Sequence, residues 1–463
     1  MKKLIPTLTL LLSLSSYSQE IIGKWSGILE VPTGKLTLVF SIAKTENGYA
    51  ATMDSPEQGA KGIPIEIVSF DTSKKLFLEI PAANITYSGT LDTTDIIVGN
   101  FKQSGAIFPL NLNREEANKR PQEPKTPYSY YSEEVTFQNK IENFSLTGTL
   151  TLPKKEGQFP VVVLITGSGA QNRDSELLGH KPFLVLADYL TKNGIGVLRY
   201  DDRGVATSKG DRTEATSKNF ADDAKAAVEY LKTRKEVNTK KIGLIGHSEG
   251  GTIAPMVAAN NKDISYIVLL AGTGIPGDEL LLQQAYLIGK SAGMSETELE
   301  NASKINKEIY QIIKTEKDQN QIKKQIAIIL EKQLSELPED QKPTAEQIKS
   351  IAAEQSNTIA SPWFSYFIKY DPRPILKEVK CAVLVLNGEK DIQVPAKSNT
   401  EAIKNELEKW GNKKVAVNIF PGLNHLFQEC KTCTVEEYEQ IEQTFSPIAL
   451  QKISEWIGLQ TKL

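Results

Sequence analysis

The segment KIGLIGHSEGG, residues Lys241 to Gly251, determines the fold that we expect for this chain of 463 residues. An apolar run leads to Ser248, which has one glycine two positions before it and another two positions after it. A sharp turn from a strand into a helix requires these glycines, because it leaves no space for a Cβ atom beside the raised serine. The segment therefore predicts a buried strand, a tight turn that carries a nucleophilic serine, and a helix whose N-terminal amides favour a developing anion.

On both sides of this segment the sequence alternates between short apolar runs and helix-like stretches. The runs are typical of parallel strands buried on both faces, and they span residues 161–166, 196–200, 242–246, 264–270 and 382–387. The helix-like stretches between them span residues 183–192, 219–233 and 250–260. We therefore predict a doubly wound α/β domain over residues 133–463, which begins with antiparallel edge strands at 135–139 and 145–152.

The alternation stops between residues 278 and 371. Isoleucines there recur every three or four residues among lysine, glutamate and glutamine, which indicates amphipathic helices. An insertion at this point predicts a helical cap over the carboxyl ends of the strands. The alternative is a helical subdomain that does not contact the site.

The first 132 residues are of a different kind. Lys2 and Lys3 precede an apolar run from Leu4 to Leu14, so residues 1–18 are expected to be a signal peptide of a secreted or periplasmic protein. This run is shorter than the about 20 residues that span a bilayer, and we expect no membrane span. Residues 20–113 predict a small all-β barrel or sandwich of about eight antiparallel strands, and residues 114–132 predict a proline-rich, extended linker.

Charge and the rare residue types restrict the possible functions. Lysine and arginine number 54 against 57 aspartates and glutamates, a formal net charge of −3, which argues against binding to nucleic acid or to anionic membranes. The chain has three histidines and three cysteines. Cys430 and Cys433 form a CxxC pair that would suit a disulfide in an exported protein, whereas the remaining cysteine, Cys381, starts an apolar run.

A nucleophilic serine needs a base and an acid that orients this base. His425 follows the last apolar run and is the expected base, because the side chain of His247 should diverge from its neighbour Ser248 and His180 precedes the nucleophile strand. Asp391 follows a predicted strand and is the expected acid, with Glu389 as the alternative.

The oxyanion should be held by two backbone N–H groups. The first belongs to Glu249, and the second to the glycine-rich loop after residue 166, where Ser168 is preferred over its neighbour Gly169.

From about residue 133 to the end, the chain resembles secreted bacterial carboxylesterases of the α/β-hydrolase fold that carry an N-terminal β-domain and a helical cap. The motifs that carry this resemblance are TGSGAQNRD at 166–174, YDDRG at 200–204, GHSEGG at 246–251, SPWFSYFIKYDP at 361–372, NGEKDIQVP at 387–395 and GLNHLFQ at 422–428. The resemblance implies the same triad of Ser248, Asp391 and His425. Within YDDRG, Arg203 is expected to bridge carboxylates and carbonyls under the loops of the site.

We therefore expect a serine esterase that cleaves small or medium carboxylic esters through an acyl-enzyme, with no cofactor and no metal. Its expected partner is a small-molecule ester. The nearest alternative is a serine peptidase of the same fold. An alternative of another class is a carbohydrate-binding or adhesion role for the β-domain, with hydrolysis secondary.

Overall fold

The computed structural model describes residues 21–31, 34–45, 48–92, 96–114, 120–337 and 342–462. The chain divides into two compact units, and the boundary lies between residues 119 and 120. The predicted signal peptide lies outside the described residues. Within them, no helix combines the length and the apolar character that a membrane crossing requires.

The first unit is a single antiparallel sheet, with ten strands among its described residues. They are β1 (Gly23–Val31), β2 (Gly34–Thr45), β3 (Gly48–Ser55), β4 (Ala60–Ile65), β5 (Ile67–Phe70), β6 (Lys75–Ile80), β7 (Ile85–Leu91), β8 (Ile96–Gln103), β9 (Ala106–Pro109) and β10 (Leu112–Arg114). Nine follow the order β4-β3-β2-β1-β10-β8-β7-β6-β5, and β9 pairs with β8. Alternate side chains, such as those of Trp25 and Phe40, are buried in one core, as the period of two requires.

Two apolar runs, IPIEIVSF at 63–70 and IFPLNL at 107–112, each predict one strand from the sequence and are each divided in the structure, which explains ten strands in place of about eight. The run IPIEIVSF changes partners near Glu66, because β4 pairs with β3 whereas β5 pairs with β6. The run IFPLNL is divided after Pro109 into β9 and β10. The rings of Tyr49 on β3 and Phe70 on β5 lie 6.4 Å apart, so the two ends of the sheet approach each other as in a barrel.

The second unit contains an eight-stranded sheet in the order β11-β12-β14-β13-β15-β16-β17-β18. Its strands are β11 (Tyr131–Asn139), β12 (Phe144–Leu152), β13 (Phe159–Ile165), β14 (Gly196–Tyr200), β15 (Val237–His247), β16 (Ile264–Leu270), β17 (Ala382–Gly388) and β18 (Val415–Phe420). β12 runs antiparallel to both of its neighbours, β11 and β14, and all other neighbouring pairs are parallel. The predicted mixed α/β sheet is therefore confirmed.

Helices cover both faces of this sheet and form a separate cap. The helices of the sheet are α1 (Pro182–Lys192), α2 (Ser217–Lys232), α3 (Glu249–Ala258), α9 (Arg373–Leu376), α10 (Ala396–Lys409) and α11 (Pro447–Thr461). Those of the cap are α4 (Gly277–Ser291), α5 (Glu296–Thr315), α6 (Gln319–Ser335), α7 (Ala345–Ile359) and α8 (Pro362–Lys369). Apolar side chains such as Ile309, Ile313, Ile322 and Ile326 form the core of the cap, as the helical period of the sequence predicts.

The C-terminal part of the predicted linker belongs to the second unit. The guanidinium of Arg120 donates hydrogen bonds to the backbone carbonyls of Leu178 (3.1 Å) and Glu439 (2.9 Å). The side-chain oxygen of Gln122 accepts the N–H groups of Thr444 and Phe445. These contacts hold the segment against the α/β unit, and charge and proline content did not reveal them.

Candidate active site

Ser248 stands at the turn between β15 and α3, in a backbone conformation that few residues adopt. Its φ is 54° and its ψ is −117°, in the left-handed half of conformational space. A Cβ atom at Gly246 would lie 1.9 Å from the carbonyl oxygen of Gly250, and one at Gly250 would lie 2.1 Å from that of Ile165. The two glycines of the motif are thus required by backbone packing around the serine.

Asp391 and His425 meet at the carboxyl ends of β17 and β18. His425 Nδ1 lies 2.8 Å from Asp391 Oδ2, and both side chains are buried. The other carboxylate oxygen accepts the backbone N–H groups of Gln393 and Val394, each at 2.8 Å. Because a carboxylate can only accept, Nδ1 is the protonated nitrogen of the imidazole, which leaves Nε2 as the basic atom.

Glu389, the alternative acid, lies elsewhere. It is exposed at the surface, and its Oε2 accepts the backbone N–H of Gly422 at 3.2 Å. Of the two carboxylates considered from the sequence, the structure therefore brings Asp391 to the imidazole.

A tight loop presents His425. Asn424 Oδ1 accepts the backbone N–H groups of Leu426 and Gln428, and the N–H of Asn424 donates to the carbonyl of Gln428. Asn424 and Gln428 are fully buried. This network fixes the loop backbone on both sides of the imidazole.

The other two histidines have structural contacts. His247 Nε2 lies 3.0 Å from the backbone carbonyl oxygen of His425, which places the His425 loop beside the turn that carries Ser248. His180 is fully buried, with Nε2 at 2.8 Å from the carbonyl of Tyr438 and Nδ1 at 2.9 Å from the hydroxyl of Thr444. Burial lowers the pKa of both imidazoles, that of His247 to about 3.

The predicted oxyanion loop lies directly against the nucleophile. A Cβ atom at Gly167 would lie 3.2 Å from Cβ of Ser248, so the loop backbone and the turn are in contact. The carbonyl of Ser168 accepts the Nε2 amide of Gln171 at 2.9 Å. Gly169 has a φ of 98°, which a glycine adopts without strain. Glu249, the other predicted donor, begins α3 next to the serine.

Sequence reasoning missed the carboxylate that holds this loop. Asp202 Oδ1 accepts the hydroxyl of Thr166 at 2.7 Å, and Oδ2 accepts the backbone N–H of Gln171 at 3.0 Å. Arg212 donates to Asp202 Oδ2 and to the backbone carbonyl of Gly169. The sequence could have indicated this contact. YDDRG begins at the end of β14, and the parallel neighbouring strand β13 leads into the oxyanion loop, so the motif and the loop lie at the same edge of the sheet.

Arg203 occupies the bridging position that we expected of it. Its guanidinium is 1% exposed and binds the carboxylates of Asp223 and Glu142 and the carbonyl of Asn219. The aromatic side chains of the cap helix α8 serve mainly to pack the cap, since Phe367 is buried and the ring of Trp363 stacks on it at 5.7 Å. Trp363 Nε1 also donates to Glu249, so the cap contacts the nucleophile turn. This contact excludes a cap that stands apart from the site.

Across the described ranges, no three histidine, cysteine, aspartate or glutamate side chains are arranged as a possible metal site. Cys430 and Cys433 form a disulfide, and Cys381 is a free thiol.

Known proteins share the fold and parts of the sequence. Residues 181–351 match the family model described as "Serine aminopeptidase, S33". The esterase EstD of Thermotoga maritima is 28% identical over 308 residues, which cover 66% of this chain and 64% of that protein. An acyl transferase of Shewanella hanedai is 33% identical over 123 residues, or 26% of this chain and 37% of that protein. The chain thus spans less than two thirds of the length of these two relatives.

A solved structure of the Pyrococcus furiosus esterase Pf2001 covers 72% of the chain at 15% identity, with a TM-score of 0.42.

Proposed function

We propose that this chain, whose second unit has the α/β-hydrolase fold, is a serine esterase and that Ser248, His425 and Asp391 form its catalytic triad. The observation that carries this proposal is the buried 2.8 Å contact between His425 Nδ1 and Asp391 Oδ2, on a loop that abuts the strained turn of Ser248. A serine, an acid and an imidazole, placed in this chain order at the strand ends, are the arrangement of the α/β-hydrolases.

In the proposed reaction, Ser248 Oγ attacks the ester carbonyl carbon while His425 Nε2 removes the hydroxyl proton. The carbonyl oxygen becomes an oxyanion, which the backbone N–H groups of Glu249 and Ser168 stabilise. Collapse of this intermediate breaks the ester C–O bond, and the imidazolium returns the proton to the leaving alcohol. Water then attacks the acyl-enzyme with the same imidazole as base and releases the acid and the free serine.

Asp391 supports both steps through His425. Its carboxylate accepts the Nδ1 proton, which keeps the imidazole in the tautomer with a basic Nε2 and stabilises the imidazolium. The two backbone N–H groups on its other oxygen hold the carboxylate in place. Burial of the pair excludes water that would weaken this interaction.

An ester is proposed over a peptide as the substrate class, because the relative with the longest match named above is an esterase. The matched family model is described as a serine aminopeptidase, which makes a serine peptidase the second candidate. The two differ in the substrate and share the nucleophile.

A comparison of two chromogenic substrates separates them. We expect p-nitrophenyl acetate or butyrate to be hydrolysed with a much higher kcat/KM than aminoacyl p-nitroanilides. The Ser248→Ala variant should lose the enzymatic hydrolysis of whichever substrate is turned over. Preference for the anilides would favour the peptidase, and full activity of Ser248→Ala would refute a serine hydrolase at this site.

Export from the cytoplasm is a further proposal. It rests on the basic and apolar N-terminal residues of the sequence and is supported by the disulfide between Cys430 and Cys433, which suits an oxidising compartment. Mass spectrometry of the protein purified from the native host tests it. A mature N-terminus near Gln19 is expected, and an N-terminus at Met1 would refute cleavage.

A further inference from the structure

One buried carboxylate contacts both the nucleophile turn and the cap. Glu249 follows Ser248, and its side chain is only 2% exposed. Its Oε1 accepts two hydrogen bonds, one from the hydroxyl of Ser217 at 2.6 Å and one from Trp363 Nε1 at 2.8 Å. Ser217 begins α2 under the sheet, whereas Trp363 belongs to the cap helix α8.

A carboxylate at such a depth is costly unless polar groups meet it. Both donors converge on Oε1, and Oε2 is buried with no hydrogen-bond partner among the described residues. Burial raises the pKa of Glu249, and the hydrogen bonds from Ser217 and Trp363 counteract part of this effect, followed by the Ser168 hydroxyl of the oxyanion loop and the Arg212 guanidinium. The carboxylate is therefore surrounded by the nucleophile turn, the oxyanion loop, α2 and the cap.

The cap side of this contact is rigidly held. The ring of Trp363 stacks on Phe367 at 5.7 Å, and Phe367 is part of the buried core of the α/β unit. Ser361 caps the N-terminus of α8, and its hydroxyl accepts the backbone N–H of Phe364. A shift of α8 would therefore move the indole N–H relative to the Glu249 side chain.

The other end of Glu249 is its backbone N–H, one of the two proposed oxyanion donors. The transition state is stabilised by hydrogen-bond donors that are already in position before the reaction. Such an N–H group is therefore effective only within a few tenths of an ångström of its best position. The side chain and the backbone N–H of one residue thus connect the cap to the oxyanion hole.

We propose that Glu249 is a positioning residue through which the cap helix α8, by the Trp363 N–H, fixes the oxyanion hole. The proposal rests on the proposed function, since it requires a reaction at Ser248. In it, the side chains of Trp363 and Glu249 do not contact the reacting atoms. They determine the rate of the chemical step rather than the affinity for the substrate.

The test uses the full-length protein and the variants Trp363→Phe and Glu249→Gln. Phenylalanine keeps an aromatic ring for the stack on Phe367 and removes the N–H donor together with one ring of the indole, a loss that the control variant shares. We expect Trp363→Phe to lower kcat about tenfold and to leave KM within about twofold. Displacing an oxyanion donor should cost only part of the rate that is lost when the donor is removed altogether. The matched control is Trp410→Phe, whose indole N–H donates to Glu406 at 2.7 Å on the exposed surface and should leave kcat unchanged.

The double variant distinguishes positioning from a general loss of packing. If Trp363 acts through Glu249, Trp363→Phe changes kcat less than twofold in the Glu249→Gln background, whereas independent effects would multiply. Should Glu249→Gln not fold, Ser217→Ala removes the second donor to the same Oε1 and should itself lower kcat with KM unchanged. A Trp363→Phe variant with the kcat of Trp410→Phe, or equal effects in both backgrounds, would overturn the proposal.

Labelling of the protein by a fluorophosphonate distinguishes failure of this inference from failure of the proposed function. A wild-type protein that is neither labelled nor active overturns the serine hydrolase and this inference with it. A wild-type protein that is labelled, together with a Trp363→Phe variant labelled at the same rate, overturns the inference alone. We expect slower labelling of Trp363→Phe, because phosphonylation passes through a similar oxyanion.

Discussion

His247 Nε2 donates a hydrogen bond to the backbone carbonyl oxygen of His425 over 3.0 Å. Because a carbonyl can only accept, this nitrogen carries a proton and cannot take one from Ser248. The imidazole next to the nucleophile thus supports the loop of the proposed base. Burial lowers the pKa of His247 to about 3, so the ring stays neutral throughout the ordinary pH range.

The neutrality of His247 should appear in the pH dependence of stability. The unfolded chain binds a proton at His247 below about pH 6.5, and the folded chain does not until about pH 3, so this residue destabilises the fold as the pH falls. Urea unfolding of wild type and His247→Asn at pH 7 and pH 5.5 measures the effect. We expect the wild type to lose more free energy of unfolding between these pH values, by up to about 1.4 kcal/mol per pH unit. Equal losses would contradict a buried neutral His247.

The acid of the triad is tested against its neighbour. Asp391→Asn keeps the shape of the side chain and presents an amide that favours the wrong tautomer of His425, so kcat should fall by about 10³- to 10⁴-fold. Glu389→Gln is the matched control, since Glu389 lies at the surface, where it accepts the N–H of Gly422 and pairs with Lys390 at 3.9 Å. Its kcat should stay within about twofold of wild type. A larger loss in Glu389→Gln than in Asp391→Asn would reverse the assignment.

Asp202 should make the oxyanion loop sensitive to acid. Burial raises the pKa of this carboxyl to about 6, and the ionised form accepts the N–H of Gln171 and the guanidinium of Arg212. Protonation below about pH 6 removes an acceptor. We expect Asp202→Asn to lower kcat about tenfold at pH 8, because an oxyanion loop shifted by a fraction of an ångström no longer aligns its donor. At pH 5 the wild-type carboxyl is itself protonated, so the kcat values of the two proteins should differ less.

The matched control is Asp211→Asn, which changes an exposed carboxylate nearby in the sequence. It should not alter the pH profile of kcat.

Protonation of Asp202 should affect stability and activity in opposite directions. Its raised pKa stabilises the folded state at low pH, and this contribution to stability is lost as the pH rises through about 6. A constant ratio of kcat between wild type and Asp202→Asn from pH 5 to pH 8 would contradict the role of Asp202.

The disulfide between Cys430 and Cys433 should matter little for activity. It closes a four-residue loop, for which chain entropy predicts about 2 kcal/mol of stability. Glu437 accepts the backbone N–H groups of Lys431, Thr432 and Cys433 and holds the same loop without the disulfide. Reduction should therefore lower the Tm by a few degrees with kcat within about twofold.

The Cys430→Ser/Cys433→Ser variant is the control for reduction. Its kcat and Tm should resemble those of the reduced wild type and should not respond to dithiothreitol. A loss of activity beyond tenfold on reduction would show that the disulfide, and not Glu437, positions the His425 loop.

Local sequence patterns predicted the structure correctly where individual residues determine the local backbone. The glycines at 246 and 250 and the apolar run before Ser248 predict the turn correctly, because backbone contacts there exclude any side chain. The division of IPIEIVSF into two strands was not predictable, since its halves remain apolar and only long-range pairing separates them. For the same reason the side-chain contacts of Glu249 with Ser217 and Trp363, which lie far apart in the sequence, became visible only in the folded chain.

The central claim is that Ser248 is the nucleophile of a serine hydrolase, and covalent labelling tests it most directly. The wild-type protein, incubated with a fluorophosphonate and digested, should gain one phosphonyl group on the peptide that contains Ser248. The His425→Ala substitution should slow this reaction, since it removes the basic imidazole. Labelling of Ser248 alone, absent in Ser248→Ala, is the predicted result. An unlabelled wild-type protein, or one labelled at another serine with equal labelling of Ser248→Ala, would contradict it.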